Sequence, residues 1–402
     1  MNVCLVSRTT VHHSHGGVQE DIRTLADGLA ALGHRVVVVT TRHPEGRHTL
    51  EAGGVEYRFL EGTAPEQYGH GFFEQAYQEF ERLHWVVGFD LVLSETIAAA
   101  AFCGRVPVPL VCRFHGMWIG WRTSEVVYRW PIWRALSWGE RARSLRSLPR
   151  EFLQGQVGRR RSRRLYRAAA AVVVDSEFSR RLLLDSCSWL DAGKVRVVPL
   201  GIDTVRFAPV GKEGAKTRLG LSGPVLLFLS RLTIAKGGGV ALRAFEGLEM
   251  PGAHLVVAGT GREQWWLERY AGERRIERVH FPGLVPDAER ALYYSAADLF
   301  IYPEVTDPAF GLVAAESLAC ETPVVGSRAG AIPEVVGDCG FLFPRGDVGA
   351  LRGLIREALK YPDRLRELGR RGRARVEARF SQPRMVSAMA EVFRQVLGRV
   401  AG

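Results

Sequence analysis

No run of about 18 apolar residues occurs in this chain, so none of its segments reads as a membrane-spanning helix. It opens directly on the strand-like run Asn2-Val-Cys-Leu-Val-Ser7, with no basic flank and apolar stretch of signal-peptide length. Cysteine is sparse: Cys4, Cys103, Cys112, Cys187, Cys320 and Cys339 stand singly, without a C-x-x-C pair. That pattern excludes a disulfide scaffold or a zinc ribbon, and the expectation is reduced, buried thiols in a cytosolic protein. D-x-D is missing as well, so a divalent ion bridging a diphosphate is not called for and no metal is expected. His12, His13 and His15 cluster without a carboxylate or cysteine at ligand spacing. The third glycine of G-x-G-x-x-G is absent from both Gly16-Gly17 and Gly259-Thr-Gly261, which disfavours a dinucleotide oxidoreductase.

What the chain has in quantity is arginine. The formal charge of +11 comes from 54 basic against 43 acidic residues, and nearly all the basic ones are Arg, whose fork suits phosphate or carboxylate. Between Trp118 and Arg167, thirteen Arg face three Glu, a net charge of +10, with Trp121, Trp130, Trp133 and Trp138 interleaved. Arg and Trp together suit an anionic membrane surface, so peripheral contact through residues 118–167 at the inner face of the membrane is an expectation. An amphipathic helix pair with a solvated Arg face is the plainer alternative. Nucleic acid is not an expected partner.

At 402 residues and 47% apolar content the chain calls for two domains of ~200 residues. Val18, Ile22, Leu25, Leu29 and Leu32 recur at helical spacing between Asn2–Ser7 and the β-branched run Arg35–Thr40, which makes a βαβ unit. Apolar runs at Leu91–Leu93, Leu110–Arg113, Ala171–Val174 and Val195–Val198 continue a doubly wound parallel sheet. A second set follows at Val225–Leu229, His254–Ala258, Val279–Phe281, Leu299–Tyr302 and Pro323–Val325. The expected division is an N-terminal Rossmann-like domain over 1–202, a linker over 203–222, a C-terminal Rossmann-like domain over 223–381, and a final helix over 382–402.

Two loops of the second domain carry phosphate chemistry. Asp307-Pro-Ala-Phe-Gly-Leu-Val-Ala-Ala-Glu316 runs from a turn into an Ala-rich helix, whose start at Gly311 offers unpaired amides to a diphosphate. Glu316, one turn in, can accept from ribose hydroxyls. Ser230-Arg231 and Lys236-Gly237, after the run Val225–Leu229, bring two cations to the same phosphates. In the first domain Gly16 and Gly17 lie in the turn after the opening strand, and His115 follows another strand at the carboxyl edge, where such domains keep ligands.

In this order and spacing, Gly16-Gly17-Val-Gln, Phe114-His115-Gly116, Val174-Asp-Ser176-Glu-Phe-Ser, Val198-Pro-Leu-Gly201-Ile-Asp203, Ser230-Arg231-Leu with Lys236-Gly237, Val257-Ala-Gly259-Thr-Gly261, Phe281-Pro-Gly283-Leu-Val285, Phe310-Gly-Leu-Val-Ala-Ala-Glu316-Ser and Thr322-Pro-Val-Val resemble the family-4 retaining glycosyltransferases. The resemblance covers almost the whole chain and implies the GT-B fold: two Rossmann-like α/β domains facing each other across a cleft, with the final helix crossing back to the N-terminal domain. It implies transfer of a hexose from a nucleoside-diphosphate sugar, a UDP-sugar ahead of a GDP-sugar, to an acceptor hydroxyl with an α-linkage and no cofactor. The acceptor would be a polysaccharide, a glycolipid or a small metabolite. Arg231 and Lys236 would neutralise the diphosphate, Glu316 would hold the ribose, and His115 would contact the donor sugar. Gly16, Gly17, Gly259, Phe310, Gly311, Leu312 and Val313 would line the donor, with Gly283, Leu284 and Val285 at the base. The chain departs from the family's E-x7-E motif, because Pro308 stands where the first Glu is usual. Either Asp307 supplies that carboxylate, or donor preference has shifted, or catalysis is lost, which leaves a donor-binding subunit. A sugar-nucleotide epimerase of related fold is the rival enzyme. Leu200, where Asn is frequent, is a second departure.

Overall fold

The computed structural model describes residues 1–14, 16–69, 71–115 and 158–401, arranged in two compact units. The first holds the chain up to Gly201 together with the last helix, Gln382–Ala401. Its eight strands are β1 (Asn2–Val6), β2 (Arg35–Thr41), β3 (Thr49–Ala52), β4 (Val55–Leu60), β5 (Leu91–Glu95), β6 (Leu110–Phe114), β7 (Ala171–Val174) and β8 (Val195–Val197). The order across the sheet is β3-β4-β2-β1-β5-β6-β7-β8, parallel except for β3 against β4. Every β-branched run read as a strand in this half forms one. The β3–β4 hairpin was not anticipated, although its signal is present: Gly53 and Gly54 sit at φ 61° and 76°, the left-handed pair a two-residue hairpin loop requires.

Side chains alternate across the central strand. Val3 and Leu5 pack with Ile22, Leu25 and Leu29 of the helix Gly17–Ala31 and with Met385, Met389 and Phe393 of the last helix. Cys4 and Val6 face the opposite layer, with Phe72, Ala76 and Phe80 of the helix Phe72–Val87. The last helix is thus a working part of the first unit's core, and the periodicity of Met385, Met389, Val392 and Val396 is the cause, since all four are buried.

The second unit spans Ile202–Ser381 and holds six parallel strands: β9 (Val225–Leu229), β10 (His254–Ala258), β11 (Val279–Gly283), β12 (Leu299–Tyr302), β13 (Val324–Ser327) and β14 (Gly340–Phe343). Their order is β11-β10-β9-β12-β13-β14, so the direction of winding reverses between β9 and β12. In open α/β sheets the loops leaving the carboxyl ends of two such strands diverge and form a ligand crevice.

Residues 203–222, read as a linker, are built into this second unit. Phe207 is buried with its ring edge-on to Tyr294, and its carbonyl accepts from Arg373 at 3.3 Å. The helix Lys212–Arg218 buries Ala215 against Leu292 and Ala296. Gly, Lys and Pro content, from which a linker is expected, does not register one buried ring and one small helix. Among the described residues no helix is long and apolar enough to cross a membrane, and all six cysteines are free and buried.

Candidate functional site

At the winding reversal of the second unit, the loop after β9 and the loop after β12 are joined. Val305 N–H donates to the Ala235 carbonyl at 2.9 Å, and Lys236 Nζ lies 2.7 Å from Glu304 Oε2. Glu304 is 1% exposed, and its other oxygen accepts from Thr306 Oγ1 at 2.6 Å. Glu304 did not emerge from the sequence, because a lone Glu after a strand carries no spacing signal. Its effect is to fix the ammonium of Lys236 at the carboxyl edge of the sheet. Arg231, on the same loop, is exposed and has no acidic partner among the described residues.

Gly259 sits at φ 123°, and a Cβ there would lie 1.9 Å from the Ser230 carbonyl oxygen, while its N–H donates to Gly283 O at 2.7 Å. Its glycine character is therefore explained by the close approach of the loops after β9, β10 and β11, whatever else it contacts. Leu284, just beyond Gly283, is 74% exposed, and Val285 is buried. Glu263, at the start of the helix Gln264–Glu273, was missed by the sequence reading; burial pushes its carboxyl up to about 7.

Gly311 at φ 125° opens the helix Leu312–Ala319. Intrahelical bonding begins with Ala314 and Ala315 donating to Gly311 O, so the amides of Leu312 and Val313 precede the first turn's own hydrogen bonds. Phe310, which the resemblance places along the donor, is 4% exposed and packs edge-on against Phe380 with ring centres 5.4 Å apart. Its role is to seat the loop. Asp307 is anchored as well: Oδ1 accepts from Gly330 N–H at 2.9 Å and pairs with Arg345. Pro308 adds a carbonyl that accepts from Ala331 N–H at 3.0 Å. Glu316 is buried; its Oε2 pairs with Arg290 and accepts from Tyr294 Oη at 2.8 Å, and among the described residues its Oε1 makes no hydrogen bond. Arg290 and Tyr294 also went unread in the sequence.

In the first unit, Gly16 is extended and precedes the helix that starts at Gly17. The turn before them is tied down by Glu66, whose Oε1 accepts from Thr9 Oγ1 at 2.6 Å and Ser14 Oγ at 2.5 Å. Burial would raise the Glu66 carboxyl, but the Ser14, Thr9 and Gln19 hydrogen bonds outweigh it and hold it below the usual value. His12 packs edge-on to Tyr57 and His13 bonds Thr41 O, so these two are structural. His15 lies outside the described residues. No group of three His, Cys, Asp or Glu fit to hold a metal occurs among the described residues.

His115 follows β6, and its side chain is 5% exposed. Its Nε2 is 2.7 Å from Glu95 Oε2 and its Nδ1 is 3.2 Å from Asp175 Oδ2. Arg113, fully buried two residues earlier, pairs with Asp21 at 2.6 Å. Both ring nitrogens of His115 thus face carboxylates. Of the Trp/Arg segment, residues 118–157 lie outside the described residues. Over 158–168 the chain is helical, with Leu165 and Tyr166 buried and Arg160, Arg161, Arg163, Arg164 and Arg167 exposed.

The chain matches two family models. Glycosyl transferases group 1 covers residues 212–375, and Glycosyltransferase Family 4 covers residues 15–206. It is 33% identical over 218 residues to a D-inositol 3-phosphate glycosyltransferase of Segniliparus rotundus, covering 52% of this chain and 48% of that relative. It is 32% identical over 231 residues to a GDP-mannose-dependent phosphatidylinositol monomannoside mannosyltransferase of Mycolicibacterium smegmatis, covering 54% of this chain and 60% of that one. The chain spans about half the length of the curated relatives it matches. Among solved structures, a sucrose-phosphate synthase of Thermosynechococcus elongatus superposes with a TM-score of 0.78 at 24% identity, covering 99% of both chains. An Anabaena protein solved with UDP and glucose gives a TM-score of 0.74 at 19% identity, covering 98% of this chain and 100% of that one. These likenesses show the fold, that of the GT-B glycosyltransferases.

Proposed function

Since the chain belongs to the family-4 glycosyltransferases of the GT-B fold, we propose that it moves a hexose from a nucleoside-diphosphate sugar to an acceptor hydroxyl with retention, forming an α-linkage without a metal. The observation that carries this reading is the convergence at the winding reversal of the second unit. There the loops after β9 and β12 bring Arg231, Lys236 and the first amides of the helix Leu312–Ala319 to one edge. Negative charge builds on the leaving diphosphate as the glycosidic bond breaks. Two cations and a helix N-terminus aimed there stabilise that stage more than the ground state. Glu316 offers Oε1 to the ribose while Arg290 and Tyr294 fix the rest of the carboxylate. Leu284 gives an exposed apolar surface beside the base. A UDP-sugar is the first donor to consider and a GDP-sugar the next, in keeping with the UDP of the Anabaena structure and the GDP-mannose of the mycobacterial relative.

The acceptor proton passes to the departing phosphate on the same face, so no separate nucleophile is required. A donor-binding subunit of weak activity is the second reading, and one observation favours it: Asp307, the carboxylate next to the missing first Glu, has its Oδ1 bonded to Gly330 and paired with Arg345, which restrains the side chain. Proton NMR of the sugar released from UDP-glucose without acceptor tests both. Retention requires the α anomer to appear first. Release of the β anomer, or formation of an epimeric UDP-sugar, would overturn the reading, and tight binding with no release would select the subunit.

A further inference from the structure

The ring of His115 is held between two carboxylates supplied by different strands. Glu95 ends β5 and reaches Nε2 at 2.7 Å, and Asp175 follows β7 and reaches Nδ1 at 3.2 Å. An ionised carboxylate only accepts hydrogen bonds, so each nitrogen facing one must carry a proton. A neutral imidazole has a single N–H and would leave one lone pair against a carboxylate oxygen in a buried site.

Charge balance points the same way. The groups packed around the ring are Asp21 from the helix Gly17–Ala31, Glu95, Arg113 from β6 and Asp175. Met385 Sδ of the last helix closes over Arg113 at 3.2 Å. None of these four ionisable neighbours is more than 5% exposed. With a neutral His115, three carboxylates would face one guanidinium, and an unpaired buried charge is among the costliest arrangements in a protein. Among the described residues Glu95 Oε1 and Asp175 Oδ1 have no hydrogen-bond partner, which deepens the negative potential at the ring.

We propose that Glu95 and Asp175 act as positioning residues that keep His115 doubly protonated, so that it serves this site as a fixed cation and is unavailable as a general base. Burial alone would favour the neutral ring, but Asp175 and Glu95 outweigh it and hold the imidazolium well above its usual range. Burial likewise pushes Asp21 up to about 6 against the pull of Arg113 and His115, which further relieves the site's negative excess as pH falls. Because the His115 value is raised on folding, its contribution to stability is complete below about pH 6.5 and is lost only as pH rises through the folded value. The proposal rests on the glycosyltransferase reading and deepens it: a ring with both nitrogens protonated cannot take the acceptor's proton, which is left to the departing phosphate.

The test is the charge state of the ring, which needs no turnover. In protein labelled at the histidine rings, the His115 signals are assigned by their loss in His115→Gln. They should stay in the imidazolium position, with both nitrogens protonated, through the range near about pH 6.5 in which a free imidazole loses its proton. Glu95→Gln and Asp175→Asn should each lower the His115 midpoint by more than about one unit. A wild-type ring with one unprotonated nitrogen at pH 7, or a midpoint that neither substitution moves, overturns the proposal. If one variant fails to fold, the wild-type spectrum and the other variant still decide. A chain that shows the imidazolium and turns over no donor would refute the glycosyltransferase reading and leave the clamp standing.

Discussion

Arg231→Ala lowers kcat by about 10²–10³-fold and leaves the melting temperature of the chain within about 1 °C of wild type. Arg231 is exposed and makes no ion pair among the described residues, so its removal unpairs nothing in the folded protein. Yet it stands on the loop leaving β9, at the winding reversal, where a diphosphate would gather charge as the sugar departs. Steady-state kinetics and a thermal melt on the same preparation check it. A parallel loss of stability and activity would mean that the residue serves the fold and not the leaving group.

Lys236→Ala behaves differently. Its ammonium is the partner of Glu304, which is 1% exposed, so the substitution loses turnover and also leaves a buried carboxylate unpaired. Breaking a buried pair from one side costs about 3–5 kcal/mol, which lowers the melting temperature by on the order of 10 °C for a unit of this size. Adding Glu304→Gln to Lys236→Ala removes the orphaned charge, and most of the stability should return while kcat stays depressed. Recovery of both together would show that Lys236 acts only by holding Glu304. The pairing also changes what Lys236 brings to a donor: part of its charge is already balanced, so Arg231 is the larger source of net positive potential on that loop.

The architecture was readable because buried parallel strands write themselves as continuous β-branched runs. Leu91–Leu93, Ala171–Val174 and His254–Ala258 have no polar face to disguise them. What escaped was amphipathic or short. β4 alternates buried and half-buried residues, and β14 is four residues at an edge of the second sheet. The site was readable to the extent that chemistry demands a residue type at a fixed place: Lys236, Gly311 and Glu316 stand on the loops and helix where the phosphate argument puts them. The partners that tune them were not. Glu304, Arg290, Arg345 and the Glu95–His115–Asp175 arrangement join segments 20 to 68 residues apart, and no local pattern records such a pairing. The contact of the Phe310 ring with Phe380 is another such long-range pairing.

The central claim is that the second unit carries a nucleoside-diphosphate clamp, and thermal melting against separate UDP, GDP, ADP, TDP and CDP at millimolar concentration without metal tests it most directly. A ligand at about a hundred times its dissociation constant stabilises the folded state by ~2.7 kcal/mol, a shift of several degrees in a unit of about 180 residues. The account predicts that one nucleotide, UDP before GDP, gives such a shift and that Arg231→Ala abolishes most of it. No shift with any of the five, or an undiminished shift in Arg231→Ala, would contradict it.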